Sequence, residues 1–165
     1  MNQDHLQYYI GLMSGTSLDG VDGVLLQWQD GAPRGVSVEH KVSPFLLSDT
    51  RQLKVLQHVF QPFDAEFRAE LLSLNTPGHN ELHRAALAGN RLARAYAKVV
   101  HALLNESGKQ ANDIQAIGAH GQTVRHRPLE FDADPSTGQS AVGYTLQLNN
   151  PALLAELTGI DVVAE

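Results

Sequence analysis

The segment that most limits what this chain can become lies near its start. Tyr8-Tyr9-Ile10-Gly11-Leu12-Met13 is a short continuous apolar run, the pattern of a strand covered on both faces. It breaks into a polar turn, Ser14 to Gly20, with a glycine at position 15 and another at 20. Apolar character resumes at Val24-Leu25-Leu26. A strand, a glycine-rich turn and a returning strand therefore open the fold.

The rest of the chain builds on that start. Asp30 to Gly35 reads as a turn, and Val36, Val38 and Val42 alternate with polar residues as in a half-exposed third strand. Three strands with short connections make an antiparallel meander. Helical patterning follows. Ser48 or Asp49 caps a helix carrying Leu53, Val55, Leu56 and Val59, ended by Gln61-Pro62. Ala65 to Leu74 is a second short helix. A long one starts near Thr76-Pro77 or Asn80 and stops at Ser107-Gly108, with Leu82, Ala86, Leu92, Tyr96, Val99 and Leu103 on one face. Ile114 to Ala119 is a strand ending at His120-Gly121-Gln122-Thr123, and residues 129–143 form a polar surface loop. Tyr144 to Leu148 is a strand, Pro151 to Leu157 a helix and Ile160 to Ala164 a last strand. Strands alternating with helices imply parallel pairing with right-handed crossovers. The fold class is α/β, with a mixed five-stranded sheet: the antiparallel meander followed by βαβ units through Ile114 to Ala119 and Ile160 to Ala164, the short Tyr144 to Leu148 strand not counted in it. The final strand ends with the chain, so the sheet is expected to be incomplete, with an apolar patch around Ile160, Val162 and Val163.

Composition narrows the function classes. With 165 residues the chain has the length of one domain. Twelve Lys and Arg stand against 18 Asp and Glu, for a net charge of -6, which argues against nucleic acid as a partner. No cysteine is present, so disulfides, thiolate metal sites and a cysteine nucleophile are excluded. Neither a signal peptide nor an 18-residue apolar span is visible, and a cytoplasmic protein without a membrane partner is expected.

The turn Gly15-Thr16-Ser17-Leu18-Asp19-Gly20-Val21-Asp22 is the richest in chemistry. Its glycines permit positive φ and close ligand approach, and successive backbone N–H groups form a concave anion site. Thr16 and Ser17 add hydroxyls, and Asp19 and Asp22 suit a hydrated Mg²⁺. The other reading is a tight hairpin whose polar side chains satisfy their own backbone. Both stand open on the residues alone. Neither of two common phosphate-loop patterns, G-x-x-x-x-G-K-[ST] and G-x-G-x-x-G, occurs.

Three blocks in order resemble the anhydro-N-acetylmuramic acid kinase family: Gly11 to Asp22, Gly118 to Pro128, and Tyr144 to Leu148 followed by Leu154 to Val163. The resemblance implies an actin-like, sugar-kinase (ribonuclease H-like) fold of two lobes around an ATP cleft, in which Gly15 to Asp22 grips the phosphates of ATP. It implies that ATP, Mg²⁺ and water convert 1,6-anhydro-N-acetylmuramic acid to N-acetylmuramic acid 6-phosphate in peptidoglycan recycling, and that the enzyme is a homodimer. His120, Gly121, Gln122 and Thr123 are then candidates for contacts to the sugar, against the alternative that His120 and His126 only satisfy local backbone. No metal ligand set is evident. Asn149 stands where the family usually has glycine, and asparagine tolerates the left-handed conformation expected there.

The family continues past the last strand into an Asp-Phe-Arg segment and a catalytic aspartate, beyond Glu165. Residues 1–165 are thus expected to be the N-terminal lobe of a two-lobed kinase, with no catalytic residue of its own, no C-terminal lobe, and no activity when alone. The alternatives are a noncatalytic nucleotide- or sugar-binding module, or half of a split enzyme.

Overall fold

The computed structural model describes residues 6–29 and 52–164. The expected turn at Asp30 to Gly35, the strand at Val36 to Val42 and the cap at Ser48 or Asp49 lie outside them. The described elements are β1 (Leu6–Ser14), β2 (Gly20–Gln29), β3 (Gln52–Pro62), α1 (Ala65–Ser73), α2 (Glu81–Ser107), β4 (Ile114–Pro128), β5 (Gly143–Leu148), α3 (Pro151–Thr158) and β6 (Val162–Ala164), with a short 3₁₀ turn at Ala111–Asp113.

Among the described residues the sheet has six strands, against the five expected, in the order β3-β2-β1-β4-β5, with β6 also on β4. β1, β2 and β3 form the expected antiparallel meander, but its third strand is Gln52–Pro62, where a helix was expected. That strand carries a register shift against Leu25/Leu26, so Leu56 is an extra residue. The bulge breaks the two-residue alternation, so that Leu56 and Val59 both pack against the core while Leu53 and Val55 stay exposed.

β4 runs parallel to both β1 and β6, in line with the βαβ expectation, whereas β5 returns along β4 antiparallel. Nor does β4 stop at Ala119. It passes through Gly121, at φ 81°, and continues to Pro128. A side chain at Gly121 would place its Cβ 2.5 Å from the Leu148 carbonyl oxygen.

Helix boundaries follow local chemistry. Asp64 caps α1 by accepting a hydrogen bond from the Phe67 N–H at 2.8 Å. Asn150 caps α3, accepting from the Leu153 N–H with Pro151 in the first turn, and Gly159 ends it in the left-handed conformation. Gly108 closes α2 the same way. α2 buries Leu92, Tyr96, Val99 and Leu103 as expected, while Leu82 and Ala86 stay exposed.

The core lies between one face of the sheet and the helices. Ile10, Leu12, Val21, Leu25 and Ile117 meet Leu71, Leu92, Val99, Leu103 and Leu154 there. Each such side chain contributes about 1.5–3 kcal/mol on full burial. Arg125, mostly buried, ties β4 to the helices by donating to the Leu74 carbonyl and to Glu81.

The alternate residues face the other way. Met13, Val55, Phe60 and Val163 are 45–67% exposed. The expected apolar patch thus includes Val163. Ile160, by contrast, is buried at 3%, because it precedes β6 and packs into the helix-side core.

Candidate functional site

The turn between β1 and β2 is short and held from three sides. The Leu18 N–H donates to the Gly15 carbonyl at 3.2 Å, and the Leu18 side chain is buried at 5%. Leu18, not a glycine, takes the left-handed conformation, at φ 54°. Gly15 and Gly20 have ordinary φ, contrary to the expectation that positive φ selects them. Gly20 answers to packing instead, since its Cβ would lie 2.4 Å from the Gln61 carbonyl oxygen and 2.8 Å from the Phe60 ring. Gly15 meets nothing closer than the Ser17 Oγ at 3.6 Å, so the space beside it is open.

From the β3 side, the Phe63 N–H donates to the Asp19 carbonyl at 2.9 Å. From β4, Gln122 reaches the turn. This fully buried amide accepts from the Ser14 hydroxyl and donates to the carbonyls of Gly15 and Thr123, each at 3.2 Å. The Gln122 side chain therefore joins two of the sequence blocks and lies beneath the turn.

Thr16, Ser17 and Asp19 remain exposed at the tip, while Val21 is fully buried. The Ser17 hydroxyl donates to Asp19 Oδ1 at 2.6 Å and holds that carboxyl below the usual range. Asp19 is accordingly ionised at neutral pH. Asp22, exposed on the open face of β2, pairs with His58 Nε2 across to β3 at 2.9 Å.

A cleft of about 590 Å³ begins beside Asp22 on the open face of the sheet. Met13, Val24, Gly118, His120 and Val163 line it. It lies over the carboxyl-terminal parts of β1 and β6 and the first half of β4, which runs on to Pro128. His120 is exposed there, with Nδ1 3.1 Å from the Gly121 carbonyl oxygen. Gly121 and Gln122 are buried and Thr123 is half-buried. The structure thus brings Asp22 and His120 to one cleft and turns Gln122 inward, toward Ser14 and Gly15. His126 is occupied elsewhere, 2.9 Å from the Thr145 hydroxyl. Asn149 is not left-handed, and its amide donates to the Ala119 carbonyl at 3.0 Å, fixing the end of β5 to β4.

Sequence reasoning missed His58, because residues 52–62 were expected to be helical; strand pairing alone sets it beside Asp22. The role of Met13 and Gly118 as cleft walls was legible only once β1 and β4 were known to be neighbours. Among the described residues, no group of three or more His, Asp or Glu is arranged to hold a metal ion by itself, and no helix is long and apolar enough to cross a membrane.

The described residues thus form an α/β structure of mixed sheet and helices, with a polar turn and an open-face cleft beside it. Comparison with known families takes the assignment further. The family model described as anhydro-N-acetylmuramic acid kinase matches residues 7–165, and the chain belongs to that family. Curated relatives named anhydro-N-acetylmuramic acid kinase are 55% identical over 96% of this chain in Variovorax paradoxus and 54% over 95% in Albidiferax ferrireducens. A third, from Bordetella pertussis, is 50% identical over 95% of the chain. The chain spans 33–35% of the length of these relatives.

Proposed function

We propose that this chain supplies the phosphate-binding lobe, of sugar-kinase type, for a cytoplasmic kinase of peptidoglycan recycling. The enzyme takes ATP, Mg²⁺ and water and acts on 1,6-anhydro-N-acetylmuramic acid. Water adds to the anomeric carbon and loses a proton as the C1–O6 bond opens. The freed O6 accepts the terminal phosphoryl group, leaving ADP and N-acetylmuramic acid 6-phosphate. The observation that carries this reading is the placement of Asp22 and His120 on one cleft, beside a turn whose hydroxyls and carboxylate are exposed.

The roles follow from position. Gly15, Thr16 and Ser17 present open backbone and hydroxyls to the phosphates. Leu18, Val21 and Gly20 fix the turn through burial and close packing. Asp19 and Asp22 fit a Mg²⁺ bound through one or two carboxylates with retained waters, since both are exposed and Asp19 is ionised. When bound, the ion neutralises charge on the phosphates. His120 offers an imidazole to sugar hydroxyls or the N-acetyl group. Gln122 and Gly121 shape the site from beneath, with Thr123 next to them. The working protein is a homodimer.

The test is a chimaera in which this chain replaces the matching third of the Variovorax paradoxus relative, assayed for ADP release with the anhydro sugar. Turnover is expected, and Asp19→Asn should lower kcat/KM on the order of 10²-fold. A folded chimaera that ignores the sugar, or is indifferent to Asp19→Asn, would overturn the proposal.

A further inference from the structure

A turn that receives phosphates calls for positive charge, and its own strand pair supplies none. No Lys or Arg occurs from Gly11 to Trp28, and Asp19 and Asp22 make the segment acidic. The two arginines between Gly118 and Pro128 are engaged elsewhere. Arg125 donates to the Leu74 carbonyl and pairs with Glu81, and Arg127 pairs with Glu130. A cation for the turn has to come from another part of the chain.

The fold brings one from α1. Pro62, at the end of β3, is the register partner of Gly20, and the next residue, Phe63, donates its N–H to the Asp19 carbonyl. α1 therefore starts alongside the turn. Phe67 and Leu71 are buried in the core and fix the inward side of the helix. Arg68 is exposed, and its Nη2 donates to the Ser17 carbonyl at 3.5 Å. Its charge is felt at Asp19, whose carboxyl is held below the usual range first by the Ser17 hydroxyl and more weakly by Arg68.

That charge is not neutralised within the fold. The acidic residues flanking Arg68 have other partners: Arg91 holds Asp64 and Glu66, and Arg84 holds Glu70. Among the described residues Arg68 forms no ion pair, although Arg84, Arg91, Arg125 and Arg127 each do. The bond to Ser17 engages one nitrogen of the guanidinium and leaves the rest of its donor fork for another acceptor, beside the exposed Thr16 and Ser17. This relation is set by contacts inside the described residues and does not depend on what covers the open face of the sheet.

We infer that Arg68 is the phosphate-binding cation of the turn: its guanidinium braces the Ser17 carbonyl and pairs with a phosphate oxygen of the nucleotide bound there. The inference rests on the kinase reading above and adds a residue that lies outside the three sequence blocks. A planar donor fork suits two oxygens of one phosphate, and such charge-assisted bonds are stronger than neutral ones. It also offsets the repulsion between a triphosphate and the carboxylates of Asp19 and Asp22.

The experiment places Arg68→Lys and Arg68→Gln in the chimaera with the Variovorax paradoxus relative and measures KM separately for Mg-ATP and for the anhydro sugar. Glutamine keeps a donor for the Ser17 carbonyl without the charge, and lysine keeps the charge. Arg68→Gln should raise KM for Mg-ATP on the order of 10- to 100-fold, leave KM for the sugar unchanged and melt with the parent. Arg68→Lys should recover most of that loss. An unchanged KM for Mg-ATP in Arg68→Gln, a loss that lysine and glutamine share equally, or an equal rise in both KM values would each overturn the inference. A chimaera that turns over the sugar with Arg68→Gln at the parent's KM removes this inference alone; a folded chimaera without turnover removes the kinase reading and this inference with it. Titration of the ¹⁵N-labelled chain with magnesium tripolyphosphate repeats the comparison without turnover. Shifts at residues 15–22 should appear in the parent and in Arg68→Lys at concentrations about tenfold lower than in Arg68→Gln, and equal affinity in all three would again overturn it.

Discussion

Gly20 is a strand glycine with an ordinary backbone angle, and packing rather than φ selects it. Gly20 has β3 backbone pressed against it, so Gly20→Ala should lower stability by about 1–3 kcal/mol in urea unfolding. An unchanged midpoint would show that β3 yields. Gln122 makes a similar point about polar groups. Its amide is fully buried and saturated by Ser14, Gly15 and Thr123. Gln122→Ala strands those partners and should cost about 1–3 kcal/mol, with faster hydrogen exchange at Leu18, whose N–H is held by the Gly15 carbonyl. The turn was legible in the sequence as a cluster of glycine, hydroxyl and carboxylate residues. Which residue takes the left-handed angle was not, because burial of Leu18 outweighs the usual preference for glycine there.

At the scale of elements, the strong patterns were readable and the irregular ones were not. α2 was visible through its buried stripe and its stop at Gly108. A Cβ at Gly108 would meet nothing, so the cost of Gly108→Ala is conformational alone, about 1 kcal/mol, measurable as a lowered melting temperature. β3 was misread because Leu53, Val55, Leu56 and Val59 do not alternate strictly along the sequence, the extra residue at Leu56 letting both Leu56 and Val59 pack against the core. The length of β4 was misread because Gly121 resembles a stop, yet serves as a bend that clears the Leu148 carbonyl. The packing of α1 on α2 adds a dependence on acid. The N–H of Phe67 and the guanidinium of Arg91 hold the Asp64 carboxyl below the usual range, and Arg84 does the same for Glu70. Both carboxyls bind protons more weakly folded than unfolded. Their stabilising contribution is complete above about pH 4.5 and is lost as the pH falls through the folded values. Urea midpoints taken from pH 6 down to 3 should fall, and Arg91→Met should flatten the fall; an unaltered slope would dissociate Asp64 from it.

On the scale of the whole molecule, the described helices pack on one face of the sheet, while the other carries the cleft. The family and the two chemical blocks were readable from the sequence, since motif order survives without coordinates. Their convergence was not, because Asp22 and His120 are about a hundred residues apart and meet only through the β1–β4 pairing. The chain spans about a third of its curated relatives' length, and residues 1–165 expressed alone should give no turnover of the anhydro sugar in a coupled ADP assay. Turnover above background would place the whole chemistry in this lobe. The central claim, that the turn at 15–22 receives the phosphates of ATP, is tested most directly by titrating the ¹⁵N-labelled chain with Mg-ATP. Shifts concentrated at the amides of Gly15 to Asp22, and abolished by Asp19→Asn, are the predicted result; no response, or a response centred elsewhere on the sheet, would contradict it.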